Sequence, residues 1–440
     1  MHAGGNIGLD AFTYTMRPLR RHLRSQNAAL AADGAEAPPA RVTGMPRSTG
    51  ERMAGGFYTA VTRMAGLRPE LIPAHMRRQF QVVGIDDAQL ARVLRAVRRL
   101  GDWPYAWEAE GDRKSAHGDA LGAMISYYVG QRLLTTETPL KRRLYRLAVE
   151  SYAEVDHAVP LETLRYETEQ GNTIAGYLQV PRPRGSRVAP VPLVLLVPGV
   201  TSAKEELHPI ASAMLRRGWA VARIDNPGYG ETTGVVVPGT QRHPAFVLDQ
   251  LALDSRLNSD DMHLWGASLG GFFALHSAID SRARSVVAVA APFAPHRYIA
   301  QLPGSNLTAF AQMTGLHDYD ALLEFVSTLT LEHHIDQIRV PTKIFHGGRD
   351  RTIPVSEARR IVDGVAGQTS LTVWPRDHHI CLEHLDEMIG MSLEWYAEPA
   401  AQAQAWERAL DAEIEHGTAG KMFEDGLQMS QMVERPAHPG

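Results

Sequence analysis

The sequence predicts an α/β protein: a three-layer sandwich around a mostly parallel sheet, preceded by an all-helical region. Three observations carry that expectation. Between about residues 51 and 160 the apolar spacing has a helical period, and beyond 160 short continuous apolar runs alternate with helical segments. The length of 440 residues exceeds one typical domain and leaves room for both parts. Uninterrupted apolar strands with helices between them are what a parallel sheet covered on both faces produces.

Taken in order, residues 1–32 carry Arg17, Arg20, Arg21 and Arg24 against the lone acid Asp10, and lack the apolar core of a secretory signal. Together with the Ala, Gly, Pro and Ser-rich stretch 28–50, they read as a disordered basic arm and linker rather than an organelle transit peptide. The helical region follows. Leu90, Val93, Leu94, Val97 and Leu100 share one face behind a candidate N-cap at Asp86. A second helix is expected over 120–134, through Leu121, Met124, Ile125 and Tyr128. A third begins at Thr138-Pro139, an N-cap followed by proline at the first helical position, and runs through Leu140, Leu144 and Leu147. The aromatics Trp103, Tyr105 and Trp107 are expected in the connection ahead of the second helix. The region has no catalytic motif of its own, and large aromatics serve cores more often than ligands.

After Pro160 the pattern changes. Runs 161–168 and 173–180 flank a Gly171-Asn172 turn signal and read as a hairpin. Six apolar strands are expected next, at 193–197, 219–224, 262–265, 286–290, 343–345 and 371–374. Residues 400–415 have helical composition and the chain beyond 417 reads as loose. The expected organisation is an arm and linker over 1–50, a helical domain over 51–160, a catalytic domain over 161–398, and a helix with a loose tail over 399–440.

In such a sheet chemistry collects at the carboxyl ends of the strands. After the 262–265 strand comes Gly266-Ala267-Ser268-Leu269-Gly270-Gly271, then an apolar helix. A G-x-S-x-G between strand and helix is a nucleophile elbow, whose tight turn leaves the serine hydroxyl exposed. The bare pattern would occur by accident roughly 0.1–0.2 times in a chain this rich in glycine, so its strand-turn-helix setting carries the weight. A serine needs a base, and the base an orienting acid. Asp350 follows the 343–345 strand and His379 follows the last strand, which completes the order Ser, Asp, His expected of an α/β-hydrolase. The oxyanion is assigned to the backbone amides of Leu269, after the nucleophile, and Val200, in the loop after 193–197. Asp225 and Glu231, in the turn-rich loop after the next strand, read as structural. Trp107, Tyr127, Tyr128 and His296 are the candidates for substrate contact.

Other chemistries are set aside on composition. The 45 Lys+Arg against 49 Asp+Glu leave a net charge of −4, which argues against a surface-wide nucleic-acid site. With Cys381 as the one cysteine, no intrachain disulfide can form. The longest apolar stretch, 191–200, is about half of a bilayer span. His378, His379, Glu383 and His384 lack a second cluster to complete a metal site. Gly228-Tyr229-Gly230 and Gly347-Gly348 fit neither the dinucleotide nor the P-loop pattern. The expectation is a cytoplasmic protein with a small-molecule substrate, no nucleic-acid or membrane partner, and no metal or organic cofactor. A homodimer through the C-terminal segment is compatible with its composition.

The helical N-terminal region, Val197-Pro198-Gly199 with Ser202-Ala203-Lys204-Glu205-Glu206, Asp225-Asn226-Pro227-Gly228-Tyr229-Gly230-Glu231, the elbow and His379-Ile380-Cys381 together resemble the 2,6-dihydroxypseudooxynicotine hydrolase family. That group is similar to fungal hydrolases that shorten a polyketide chain in pigment pathways. The resemblance covers about 51–398. It implies a cap built from the N-terminal helices, hydrolysis of a carbon–carbon bond beside a ketone, and a triad of Ser268, Asp350 and His379. His379 is chosen over His378 because the family's histidine directly precedes an aliphatic residue and a cysteine. Asp377-His378 stands where the family usually has small residues. Cys381 is expected to pack beside the site, not to act as nucleophile.

Overall fold

The computed structural model describes residues 42–45, 77 and 80–397, apart from 133, 135, 136, 170, 183–189 and 303. The expected arm, most of the linker, the start of the helical domain and the tail lie outside the described residues. The chain divides into two compact units, Met1–Gly390 and Met391–Gly440.

Within the first unit the helical layer consists of α1 (Asp87–Ala96), α2 (Trp103–Ala116), α3 (Ala120–Gln131) and α4 (Pro139–Ala153). The capping signals act as read: Asp86 accepts from the Gln89 amide at 2.7 Å and Thr138 from the Lys141 amide at 3.1 Å. The aromatic cluster departs from expectation, since Trp103, Tyr105 and Trp107 form the first turns of α2 and not a connection. Proline at its second position is tolerated there, because first-turn amides need no helical partner. Trp103 and Trp107, four residues apart on one face, are both fully buried with ring centroids 5.5 Å apart, and the Trp103 indole donates to the Val129 carbonyl. Tertiary packing thus extends the helix over residues whose own preference for it is weak.

The sheet has eight strands: β1 (Glu162–Glu167), β2 (Thr173–Gln179), β3 (Val191–Val197), β4 (Ala220–Ile224), β5 (Leu257–Ala267), β6 (Ala283–Val289), β7 (Thr342–Gly347) and β8 (Thr369–Trp374). Their order is β1-β2-β4-β3-β5-β6-β7-β8. β2 runs antiparallel to both of its neighbours and the remaining pairs are parallel. The hairpin of β1 and β2 turns at Gly171, whose φ of 75° is the conformation the Gly-Asn signal supplies. β5 begins five residues before the apolar run that announced it, because Leu257 pairs with Val191 across a register irregularity while its polar first half stays partly exposed. β4 and β7 are buried along their whole length, as helices α5 (His208–Arg216), α6 (His243–Leu251), α7 (Leu269–Ser277), α8 (Gly304–Thr314), α9 (Tyr319–Thr328) and α10 (Val355–Gly364) punctuate the crossovers. The strand order reverses around β3, with β4 on one side and β5 on the other, so a crevice opens between the carboxyl ends of β3 and β5.

The apolar core of the helical layer, built on Met124, Tyr127, Tyr128, Leu144, Ala148 and Tyr152, continues into Tyr177 of β2 and Ala203 of the β3 loop. Below that junction Arg223 is fully buried and donates to Gln179 and to the Tyr152 hydroxyl, each at 2.7 Å. An arginine can only donate, so the Tyr152 hydrogen goes to His208 Nδ1, 2.8 Å away, and His208 is held neutral. Burial, then the Arg223 charge, push its pKa from 6.5 to about 4. His276 of α7, which donates to the Thr330 carbonyl, is brought by burial to about 4 as well.

Both shifts make the same prediction. Between pH 6.5 and about 4 the unfolded chain takes up protons on these residues that the folded chain refuses, so stability falls as pH falls through that window. The loss is on the order of 2 kcal/mol for each histidine. Thermal unfolding at pH 7 and pH 4.5 checks it: His208→Gln should flatten the drop, and an equally steep drop in that variant would contradict the assignment.

Candidate active site

Ser268 stands between the end of β5 and the start of α7 with φ 55° and ψ −126°. A non-glycine residue in that region is strained, and the surroundings hold it there. Its amide donates to the Val289 carbonyl at the end of β6. Neighbouring glycines make the turn possible: a Cβ on Gly266 would lie 2.2 Å from the Gly270 carbonyl oxygen, and one on Gly270 would lie 2.2 Å from that of Val197. The elbow is therefore a sterically closed turn that presents the serine hydroxyl.

His379 follows β8 in a short helical turn, His379–His384. Its Nε2 lies 3.1 Å from Ser268 Oγ and its Nδ1 lies 2.6 Å from Asp350 Oδ2. The three residues expected from the sequence thus form one continuous hydrogen-bond chain. His378, one position earlier, offers its carbonyl to the Cys381 amide, and it is the His379 ring that contacts Ser268 and Asp350. Directly after His379 the backbone adopts positive φ at Ile380 (61°) and Cys381 (51°), unusual for a β-branched residue and a second concentration of strain beside the serine.

Asp350 has no exposed side-chain surface. Its Oδ1 accepts from the Thr352 amide at 2.7 Å and the Ile353 amide at 3.0 Å, which leaves Oδ2 for His379. Burial raises its pKa, but the His379 ring, its hydrogen bond, the Ile353 amide and His346 outweigh burial and hold the carboxyl below the ordinary range. An ionised Asp350 fixes the proton on His379 Nδ1 and turns Nε2 toward the serine as acceptor. Cys381 is fully buried, and burial with the nearby Asp377 and Asp350 pushes its thiol well above its usual pKa. Without a thiolate it is no rival nucleophile.

The loop after β3 closes the site from the other side. A Cβ built on Gly199 would lie 3.3 Å from Ser268 Cβ, so this loop lies directly against the elbow at the crevice between β3 and β5. Leu269 is the first residue of α7, and first-turn amides of a helix have no partner within it. A donor next to the serine and the helix's positive end both favour a developing oxyanion. Val200, half-buried, follows Gly199 in the opposing loop.

Beneath the loop lies a charged cluster that includes Asp225 and Glu231, the two acids expected to be structural. Lys204 is fully buried and its Nζ approaches Glu205 at 2.9 Å, Asp225 at 2.8 Å, Glu231 at 2.8 Å and the Tyr145 hydroxyl at 3.2 Å. Asp225 also accepts from the Lys204 and Glu231 amides, and Glu205 from the Tyr177 hydroxyl. Burial opposes the lysine's charge, yet the carboxylates around it raise its pKa well above normal. Asn226 donates to the Pro198 carbonyl at 2.7 Å, and His243 contacts its side-chain oxygen. A lysine directly followed by two glutamates was the available signal; the tyrosines come from α4 and β2, which no local pattern links to it.

The four candidates for substrate contact are dispersed. Trp107 is buried against Trp103 inside the helical layer. The Tyr127 hydroxyl donates to Asp112 and the Tyr128 hydroxyl to Glu206. His296 lies after β6 with its Nε2 3.6 Å from Glu332, and its buried Nδ1 has no hydrogen-bond partner. A cleft of about 730 Å³ opens between α4, the 228–232 loop and α8, lined by Lys141, Tyr145, Tyr229, Glu231 and Gln312 among others. Ser268, Asp350 and His379 lie outside its lining. Among the described residues no helix is long and apolar enough to cross a membrane.

Residues 192–314 match the α/β hydrolase fold family. A hydrolase of Fusarium sp is 29% identical over 239 residues, 47% of this chain and 57% of the relative. The 2,6-dihydropseudooxynicotine hydrolase of Paenarthrobacter nicotinovorans is 25% identical over 63% of this chain and 77% of its own length. The 20-hydroxy-prefusarin hydrolase of Gibberella moniliformis is 25% identical over 49% and 59%. The chain spans between half and three fifths of the length of the first curated relatives it matches. Among solved structures, 2,6-dihydroxy-pseudo-oxynicotine hydrolase superposes with a TM-score of 0.60 at 20% identity, covering 73% of this chain and 95% of that one. Wild-type AbyA5 gives 0.63 at 21%, covering 78% and 100%. The fold is that of the α/β-hydrolases, and the relatives are named hydrolases.

Proposed function

We propose that the protein is a serine hydrolase that cleaves a carbon–carbon bond beside a ketone, in an aryl ketone or a polyketide-like substrate. The hydrogen-bond chain from Asp350 through His379 to Ser268, at the carboxyl ends of three strands, is the observation that carries the hydrolase reading. The C–C reading rests on the resemblance to the 2,6-dihydroxypseudooxynicotine hydrolase family.

In this reading Ser268 Oγ attacks the ketone carbon while His379 Nε2 takes its proton, and the amides of Leu269 and Val200 stabilise the resulting oxyanion. As the oxyanion collapses, the bond to the neighbouring carbon breaks and its electron pair leaves with that carbon, as the enolate of a β-diketone or an electron-rich aryl carbanion. His379 delivers the proton to that carbon. Water, deprotonated by His379, then attacks the acyl-serine, releases a carboxylic acid and returns the proton to Ser268. Asp350 stays ionised throughout and keeps the imidazole tautomer. The helices α1–α4 serve as the cap that sets substrate choice.

Esters, thioesters and acyl transfer use the same acyl-enzyme and differ in the leaving group, so products separate them. Mass spectrometry on a panel of aryl β-diketones, polyketide-like acyl chains and aryl esters is the test. Turnover of the ketones in labelled water should place one heavy oxygen in the acid fragment and none in the carbon leaving group. If only esters turn over, the C–C reading fails. If a fluorophosphonate leaves Ser268 unlabelled, a non-catalytic binding protein of the same fold is the remaining reading.

A further inference from the structure

The segment that carries the Val200 amide is held from two directions. From the core, Asn226 grips the Pro198 carbonyl and Asp225 the Lys204 amide. From the helical layer, the contacts come from one turn of α3 and its C-cap. The Tyr128 hydroxyl accepts from the Ala203 amide at 2.9 Å and donates to Glu206 Oε2 at 3.0 Å. Arg132 reaches the Thr201 carbonyl at 3.3 Å and both oxygens of Glu206 at 3.1 and 3.2 Å. Thr201 directly follows Val200, and the opposite side of the segment is already against Ser268 through Gly199.

From this arrangement we infer that Tyr128 and Arg132 are positioning residues for the oxyanion site: the cap helix α3, by gripping residues 201, 203 and 206, sets the orientation of the Val200 amide over Ser268. The inference rests on the serine-hydrolase reading above. It also redefines Tyr128, a sequence candidate for substrate contact, because its donor and one acceptor position are spent on the loop. A hydrogen bond that stabilises only the oxyanion acts on the transition state and not on substrate binding. Loosening this grip therefore lowers kcat and leaves KM nearly unchanged.

The test compares Tyr128→Phe and Arg132→Lys with the unaltered protein in three readouts: thermal midpoint, kcat against KM on the best substrate of the panel above, and the rate at which a small alkyl fluorophosphonate labels Ser268. That probe needs the nucleophile and the oxyanion amides but is too short to read substrate contacts in the cap. Tyr128→Phe keeps the ring and its packing, so the fold should persist with little change in midpoint. The expected result is a fall of about 10-fold or more in both kcat and labelling rate with KM within about twofold, since losing one oxyanion donor outright costs about 10²–10³. Arg132→Lys should fall in the same direction, because the shorter side chain withdraws the single nitrogen, Nη1, that reaches both the Thr201 carbonyl and Glu206. Wild-type labelling rates in both variants would overturn the inference, and a raised KM with an unchanged labelling rate would make Tyr128 a substrate contact instead. Absence of labelling in the unaltered protein would sink the hydrolase reading itself, which keeps the two failures distinct.

Discussion

Ser268→Ala should reduce turnover by about 10⁴-fold or more on whichever acyl compound the protein accepts, with the fold and the thermal midpoint preserved. The hydroxyl is the one group in the elbow able to form the acyl intermediate, and the buried Cys381 thiol cannot replace it. His379→Ala should match that loss, since its Nε2 lies 3.1 Å from the serine oxygen. His378→Ala should retain most activity, since the contacts to Ser268 and Asp350 are made by His379. The losses should not add: the Ser268→Ala and His379→Ala double variant should be no worse than either single one, because the residues act as a unit. Steady-state kinetics on the purified variants reads all four outcomes. Full activity in His379→Ala would remove the proposed base and, with it, the mechanism.

The second large effect is on stability. Lys204→Met should destabilise the protein by about 3–5 kcal/mol, or roughly 10 °C in thermal midpoint. The lysine is fully buried within 2.9 Å of three carboxylates, Glu205, Asp225 and Glu231. A methionine fills the same volume but leaves those carboxylates without their cation, the situation in which a buried pair becomes most costly. Adding Asp225→Asn to Lys204→Met should recover part of the loss, because it removes one of the uncompensated charges while its single side-chain oxygen can still accept from one of the two backbone amides that now donate to Asp225. Differential scanning calorimetry measures both. An unchanged midpoint in Lys204→Met would mean the acids are neutralised by other means and that the loop after β3 does not depend on the lysine. A lower kcat in whatever folds is also expected, since the same network anchors the segment bearing Val200.

The architecture was legible where the signal is local. Each apolar run predicted as a strand is one, because a strand covered on both faces needs apolar residues at every position. Asp86 and Thr138 cap helices where they stand, since a cap is satisfied by an amide only two or three residues away. The elbow was readable for the same reason: its closeness of approach is met by glycines within the motif itself, at Gly266 and Gly270. Trp103, Tyr105 and Trp107 belong to α2 and not to the expected connection, because burial of the indoles and the Trp103 bond to Val129 of α3 outweigh the segment's weak intrinsic preference.

By itself, then, the sequence determined the strand and helix order and the tight turn at Ser268, which depend on neighbours a few residues apart. The family resemblance preferred His379 to His378, and the tertiary structure sets the His379 ring between Ser268 and Asp350. The tertiary structure also decided that Tyr128 and Arg132 serve the β3 loop and that Tyr145 and Tyr177 complete the Lys204 cluster. Those partners lie 28 to 78 residues apart in the chain. Such contacts have no periodicity to betray them: they arise only when the helical layer is laid across the carboxyl end of the sheet, burying polar groups that must then find one another.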